Sequence, residues 1–402
     1  GNNKIEYRVY NSANQCRMTT TAVFRDVAAW THFVIAQDST LSTAGDRVKF
    51  FINGSRVTVF DTQTNFNQNV GGDFNTAAPH HIGAYNGGDE FQGYFAQICF
   101  VDNVQYDADK FGEFDEDSSI WKPINVSGLS TGATSFFLAF ENSSALGEDS
   151  SGDNNNFSVN NITATDQSTD TCTNNFCTIN GAATAISSTP TLTQGNLTLA
   201  GTSWRTVIGT FALTKGKWYW ESKGAGSGGT ILNGIASTAV IEAGGSSSGL
   251  NNNSTIGVNL PSYAYHGSSG AMYYSNTSGN GQGQAGGSWG TAYTSADLIS
   301  IYLDLDNNKL YMAKNDTLQV SGVGYDIQAG YAYYPVCIPY GVTQSLNFGI
   351  GSFNATAVSS AVADANGFGA FEYDPSRGGA TVFNGEAKNF LSLCTNNLNI
   401  LE

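Results

Sequence analysis

The sequence predicts an all-β protein built as tandem antiparallel β-sandwiches, and three observations lead there. Gly is abundant at 47 residues, with Asn, Ser and Thr frequent beside it, while Pro occurs only 7 times. Stretches with the apolar period of a helix are nearly absent. Apolar and polar residues instead alternate with period two along short runs bounded by turn residues, the pattern of half-buried strands. At roughly 100–200 residues per domain, a chain of 402 residues suggests two or three such units.

Residues 1–130 read as the first sandwich. Trp30-Thr31-His32-Phe33-Val34-Ile35-Ala36 is a strand, and Arg47 to Ile52 is a second that ends in Asn53-Gly54, a dipeptide that favours a two-residue hairpin turn. His81-Ile82-Gly83 and the run Phe91 to Phe100 are read as further strands. A sandwich that starts at Gly1 would expose unpaired sheet edges, which folded proteins avoid. Two expectations follow: either residues precede Gly1, or Ser135 to Glu141 folds back onto the first strands. The absence of Met at position 1 favours a piece of a longer product.

Residues 131–195 form a strand and an Asn/Ser/Thr-rich connector, and no Lys or Arg occurs between Lys122 and Arg205. Residues 196–356 read as the second sandwich. Leu298, Ser300, Tyr302 and Asp304 alternate with Ile299, Ile301, Leu303 and Leu305, so one face is apolar and the other mixed, as in a half-buried strand. Asp306-Asn307-Asn308 supplies residues that tolerate positive φ, and Lys309 to Lys314 returns as the second arm of a hairpin. Residues 357–402 are set apart as a C-terminal tail.

Several of these runs resemble known families when taken in order. Lys217-Trp218-Tyr219-Trp220-Glu221, Asn233-Gly234-Ile235-Ala236, Ser254 to Val258, the hairpin from Asp297 to Asn315, Tyr334-Pro335-Val336 and Leu346-Asn347-Phe348-Gly349 resemble the signature strands of a SPRY domain. The earlier succession, from the Trp-x-His strand to the Gly93-Tyr94 strand, resembles a laminin G-like or concanavalin A-like jelly roll. With the junction from Leu146 to Phe157 and the ending Gly367-Phe368-Gly369 and Leu393 to Leu398, nearly the whole chain is similar to large structural proteins of marine bacteriophages. That resemblance implies a non-enzymatic virion protein, a tail fibre or appendage on the particle surface that binds host-surface glycans and other virion proteins. It also implies a homo-oligomer, with a trimer favoured. The competing readings are a capsid decoration or head-fibre protein, a secreted glycan hydrolase and a bacterial surface adhesin.

Charge narrows the partners. With 17 basic and 33 acidic side chains the formal net charge is −16, which argues against nucleic acid or an anionic membrane surface, both bound through Lys and Arg. No window reaches the ~20 apolar residues of a membrane-spanning helix.

Motifs that resemble catalytic ones have simpler readings. Gly245-Ser246-Ser247-Ser248-Gly249 spells a nucleophile elbow but continues into Asn251-Asn252-Asn253 rather than a helix. Gly281 to Gly286 spells a dinucleotide fingerprint with no helix after it. Glu113 to Asp117 is an acidic turn, since i and i+4 on one strand lie too far apart for the carboxyl pair of a retaining glycosidase. Asp304, Asp306 and Asn308 open like a calcium loop, but Lys309 stands where that loop needs Gly and Asn315 where it needs Glu. Asp149 and Asp153, with Asn154 and Asn155, make a somewhat better oxygen-rich cation site, with calcium as the ion, and the competing reading, which is favoured, is a plain Asx-rich turn. Among the four histidines, His32 is read as core.

Six cysteines are spread along the chain. The spacing of Cys172 and Cys177 permits a local disulfide, and Cys16, Cys99, Cys337 and Cys394 are read as buried free thiols. The binding surface is sought in the aromatic stretches around Tyr263, Tyr265, His266, Tyr273, Tyr274, Trp289 and Tyr293, where rings alternate with Asn, Gln, Ser and Gly as in sugar-binding and antibody loops. The alternative for these rings, Tyr265 above all, is the sandwich core.

Overall fold

The computed structural model describes residues 3–11, 13–25, 29–72, 74–85, 88–91, 93–116, 119–129, 132–181, 191–201, 206–225, 230–237, 261–276, 279–282, 289–376, 383 and 389–400. The chain forms two compact units, Gly1–Gln167 and Ser168–Glu402, and the all-β class is as predicted. Expected features at Gly245–Gly249, Ser254–Val258 and residues 283–286 lie outside the described residues.

The first unit contains β1 (Glu6–Asn11), β2 (Ala13–Thr20), β3 (Phe33–Gln37), β4 (Val48–Ile52), β5 (Ser55–Val57), β6 (Phe60–Thr64), β7 (Ile98–Phe100), β8 (Gly112–Phe114), β9 (Trp121–Pro123) and β10 (Phe136–Leu138). Two three-stranded antiparallel sheets, β1–β2–β6 and β3–β4–β5, meet across Tyr7, Val9, Cys16, Met18, Val48, Phe50 and Phe66. Period two decides which residues enter: in β1, Tyr7 and Val9 are buried while Glu6, Arg8 and Tyr10 face water. The β4–β5 hairpin turns on Asn53 and Gly54, with φ of 45° and 76°, the left-handed pair that such a turn requires.

Two strand expectations in this unit are corrected. His81 to Gly83 is not a strand, and of the run Phe91 to Phe100 only Ile98–Phe100 is extended and paired. Gly83 and Gln97 adopt φ of 80° and 53°, which no strand residue can hold, so the chain bends at both places. Strand β10 pairs with β7, whereas β1 and β2 are completed by β6. The segment Ser135 to Glu141 therefore does not close the first strands.

The second unit contains β11 (Thr191–Thr193), β12 (Thr198–Gly201), β13 (Val207–Ile208), β14 (Lys217–Ala225), β15 (Thr230–Ser237), β16 (Ser262–His266), β17 (Met272–Asn276), β18 (Gly279–Gln282), β19 (Leu298–Asp304), β20 (Lys309–Lys314), β21 (Thr317–Leu318), β22 (Tyr325–Asp326), β23 (Tyr333–Tyr340), β24 (Val342–Asn347), β25 (Ser352–Phe353), β26 (Thr356–Ala357) and β27 (Leu391–Ser392). A nine-stranded sheet runs β11–β12–β24–β14–β19–β20–β21, with β22 on β20 and β27 on β14; a six-stranded sheet runs β13–β23–β15–β16–β17–β18. Trp218, Trp220, Ile299, Ile301 and Leu303 from the first pack against Ile231, Ile235, Tyr263, Tyr265 and Met272 from the second. The unit is thus a two-sheet sandwich with its core between the sheets.

The predicted hairpin is β19–β20, in register from Ile299 opposite Lys314 to Asp304 opposite Lys309. Its turn is held by carboxylates: Asp304 accepts from the Asn307 backbone N–H at 3.0 Å, and Asp306 from that of Gly216 at 2.8 Å. The half-buried expectation for β19 is corrected, since all seven of its residues are buried. Its mixed face does not meet water because the segment set apart as a tail lies over it. Phe371, Phe383 and Phe390 pack there against Tyr219, Tyr302 and Tyr311.

Candidate functional site

The aromatic residues nominated for binding come together, but as core and strand rather than loop. Tyr263 and His266 lie on β16, and Tyr273 and Tyr274 on β17. Tyr263, Tyr265, Trp289 and Tyr293 belong to the core between the sheets, Tyr274 packs half-buried against it, and Tyr265 is fully buried, as the alternative reading held. The hydroxyls of Tyr263, Tyr265 and Tyr293 are occupied inside the fold. The Tyr263 hydroxyl accepts from the Gln328 N–H at 3.0 Å, that of Tyr293 donates to the Tyr265 carbonyl at 2.7 Å, and that of Tyr265 donates to the Thr291 carbonyl. On the opposite face of the sheet, His266 and Tyr273 are buried and stacked with centroids 4.6 Å apart, and His266 Nδ1 bonds Ser269 Oγ at 2.7 Å. Burial holds the His266 pKa below its ordinary value.

Sequence reasoning passed over the role of Glu221, a fully buried carboxyl of this unit. It follows the aromatic run of β14 and points, with Tyr219, to the outer side of the sheet, where it is fully buried. Four donors reach its carboxylate: Tyr219 Oη at 2.8 Å, Asn347 Nδ2 at 3.0 Å, and the backbone N–H groups of Glu372 at 3.1 Å and Tyr373 at 2.9 Å. Burial pushes its pKa up to about 7, against the hydrogen bonds, which favour the charged form. A carboxyl so enclosed has no lone pair directed at a substrate. Its chemistry is to fasten residues 372–373 to the sheet. Asp364 serves alike further on, accepting from the Ser392 N–H at 2.8 Å and from Asn397 Nδ2 at 2.7 Å.

In the first unit, Asp149 is buried and its two oxygens accept from the N–H groups of Phe137, Ser151 and Asn155 at 2.8–2.9 Å. Burial alone would raise its pKa, but these bonds hold the carboxyl below its ordinary range. Donor hydrogens stand where a cation would need lone pairs, so Asp149 is a loop anchor here. Asp153 continues the same loop, its N–H bonded to Ser151 Oγ at 3.3 Å. Asp115 of the acidic turn is paired with Lys122 at 2.6 Å. His32 is half-buried, its Nδ1 accepting from Trp121 Nε1 at 2.9 Å.

Cys172 and Cys177 are not bonded to each other; both are free thiols. Cys177 is fully buried beside Thr210, whose hydroxyl lies 3.7 Å from its sulfur, while Cys172 is at the start of a turn closed by Thr171 and Asn174. Cys16, Cys337 and Cys394 are buried and free as expected, and Cys99 is free and half-buried.

Among the described residues, four rings that reach water lie close together in the chain of the first unit, in and beside the segment misread as strand. Tyr85 is 76% exposed, Phe91 54%, and Tyr94 and Phe95 40% each. Phe91 and Phe95 stack with centroids 4.4 Å apart. Glycines permit this: a Cβ on Gly93 would lie 2.6 Å from the Phe91 ring. The Phe91 N–H closes the loop onto the Gly83 carbonyl at 2.7 Å. A signal was present in the sequence, because Gly83, Gly88 and Gly93 recur too often for a strand interior.

No protein-family description matches the chain, and no curated protein matches it. Solved structures do resemble part of it. The SPRY domain of human HERC1 is 18% identical, covering 37% of this chain and 87% of that one, with a TM-score of 0.28. The TRIM65 PSpry domain is 13% identical, covering 42% and 91%, with a TM-score of 0.30. Stonustoxin is 18% identical over 42% of this chain and 27% of its own, also with a TM-score of 0.30. The sandwich of the second unit stands on its own strand pairing, independently of these likenesses.

Proposed function

We propose that the chain is a non-enzymatic structural protein of a bacteriophage virion, a tail fibre or appendage that contacts host-surface glycans as a homo-oligomer. The laminin G-like and SPRY-like order of its motifs supports this reading, and the exposed ring cluster of Tyr85, Phe91, Tyr94 and Phe95 is the observation that carries the contact role. Exposed aromatic groups on a soluble surface mark interaction sites, and rings are the usual platform for sugar faces. The buried carboxyl of Glu221 in the second unit is engaged by four donors and serves the fold. The test is glycan-array and whole-cell binding by the intact oligomer, with localisation of the chain in the virion. Binding to host cells with the chain at the particle surface is the expected outcome; blank arrays and cells together would refute the contact role.

A further inference from the structure

We propose that the aromatic loop formed by residues 83–85, 88–91 and 93–95 of the first unit is a binding site for neutral glycans. The inference rests on the glycan-contact reading above and adds the site and the sugar class. Three features of the loop carry it.

The first is the preformed ring surface. Phe91 and Phe95 are already stacked, and Gly83 admits the Phe95 ring, 3.4 Å from where a Cβ would stand. Tyr85 is held by reciprocal backbone bonds with Gly88, at 2.9 and 3.0 Å. Rings fixed before binding lose little freedom when a ligand arrives. The second feature is charge. No Lys or Arg occurs between Arg56 and Lys110, while Asp89 and Glu90 stand exposed beside the rings. Uronate, sialate, sulfate and phosphate groups are recognised through cations, and this loop offers carboxylates instead. Such groups repel anionic sugars and accept hydrogen bonds from sugar hydroxyls. The third is a contrast within the chain: Tyr263, Tyr265 and Tyr293 of the second unit, the rings first sought for binding, are buried with their hydroxyls in use, whereas the rings of this loop present their faces to water.

The experiment uses the full chain on an array divided into neutral and anionic glycans. The Tyr85→Ala/Phe91→Ala double variant is compared with wild type, and both are checked by circular dichroism and melting temperature. A third protein, Asp89→Lys/Glu90→Lys, keeps the rings and reverses the charge. The expected result is wild-type binding to neutral glycans, a loss of about ten-fold or more in the double variant, and a gain of anionic glycans in the charge-reversed protein. Wild-type binding that the double variant retains overturns the site and leaves the glycan-contact reading standing. Wild-type binding confined to anionic glycans overturns the sugar class. No binding by wild type to any glycan or cell overturns both. Dissociation of the oligomer by Tyr85→Ala would make the rings a contact between copies and also overturns the site.

Discussion

Two sets of aromatic rings, one in each unit, lie on opposite sides of the solvent boundary. On the outer face of the nine-stranded sheet, Tyr219, Tyr302 and Tyr311 lie under Phe371, Phe383 and Phe390, and Tyr219, Tyr302 and Phe371 are fully sequestered. In the first unit Tyr85 and Phe91 stand more than half exposed. The difference comes from what lies over the rings. In the second unit a later segment returns over the sheet, fastened by Glu221 and Asp364. In the first, glycine bends turn the rings onto one another. An aromatic residue therefore reports a surface only when the covering segment is known.

The largest effect should come from breaking the covered side. Phe390→Ala removes a fully buried ring that meets Tyr302 at 5.1 Å, and it should cost about 3–5 kcal/mol by denaturant unfolding. A loss near that of a surface residue would mean that the C-terminal segment is not packed on the sheet.

The fastening has its own signature in pH. Folding raises the Glu221 pKa from 4.5 to about 7, so the folded state holds this proton more tightly than the unfolded chain. The stabilisation is complete below about pH 4.5 and is lost as pH rises through about 7. At about 1.4 kcal/mol per pKa unit, roughly 3 kcal/mol should disappear between those limits. Glu221→Gln should remove this component, flattening the stability curve of the second unit between about pH 5 and 8. An unchanged slope would place the perturbed titration elsewhere.

Much of the fold was legible in the sequence, because turns and strand alternation are local properties. The Asn53-Gly54 turn, the β19–β20 hairpin and the buried thiol Cys337 follow from neighbouring residues, whereas Cys99, placed by the same strand argument, is only half-buried. Whether Tyr302 and Asp304 meet water does not follow from neighbours, since it depends on phenylalanines far along the chain. Nor did the ring-and-amide composition around Tyr263 and Tyr293 separate a binding loop from a core with internal hydrogen bonds. The exposed loop was obscured by its hydrophobic residues, which read as strand although Gly83 and Gly93 interrupt them.

Asp149 sharpens the comparison within the first unit, where loops are held by carboxylates rather than by covering segments. Asp149→Ala leaves three N–H groups without their acceptor, that of Phe137 buried and those of Ser151 and Asn155 partly so, and should cost about 1–3 kcal/mol. Calcium or a chelator should leave the wild-type melting temperature unchanged. A rise with calcium would mean that the carboxylate had exchanged its N–H donors for the ion.

The smallest effect belongs to the exposed side. Tyr85 loses little water-accessible surface on folding, and its fixed geometry comes from backbone bonds to Gly88 that a shorter side chain preserves. Tyr85→Ala should therefore shift stability by no more than about 0.5 kcal/mol, an order below Phe390→Ala for removal of a comparable ring. Chemical denaturation of both variants measures that ratio directly. If Tyr85→Ala destabilised the protein as much as Phe390→Ala, its ring would be covered in solution, and the contrast between the covered set of rings and the exposed one would fail.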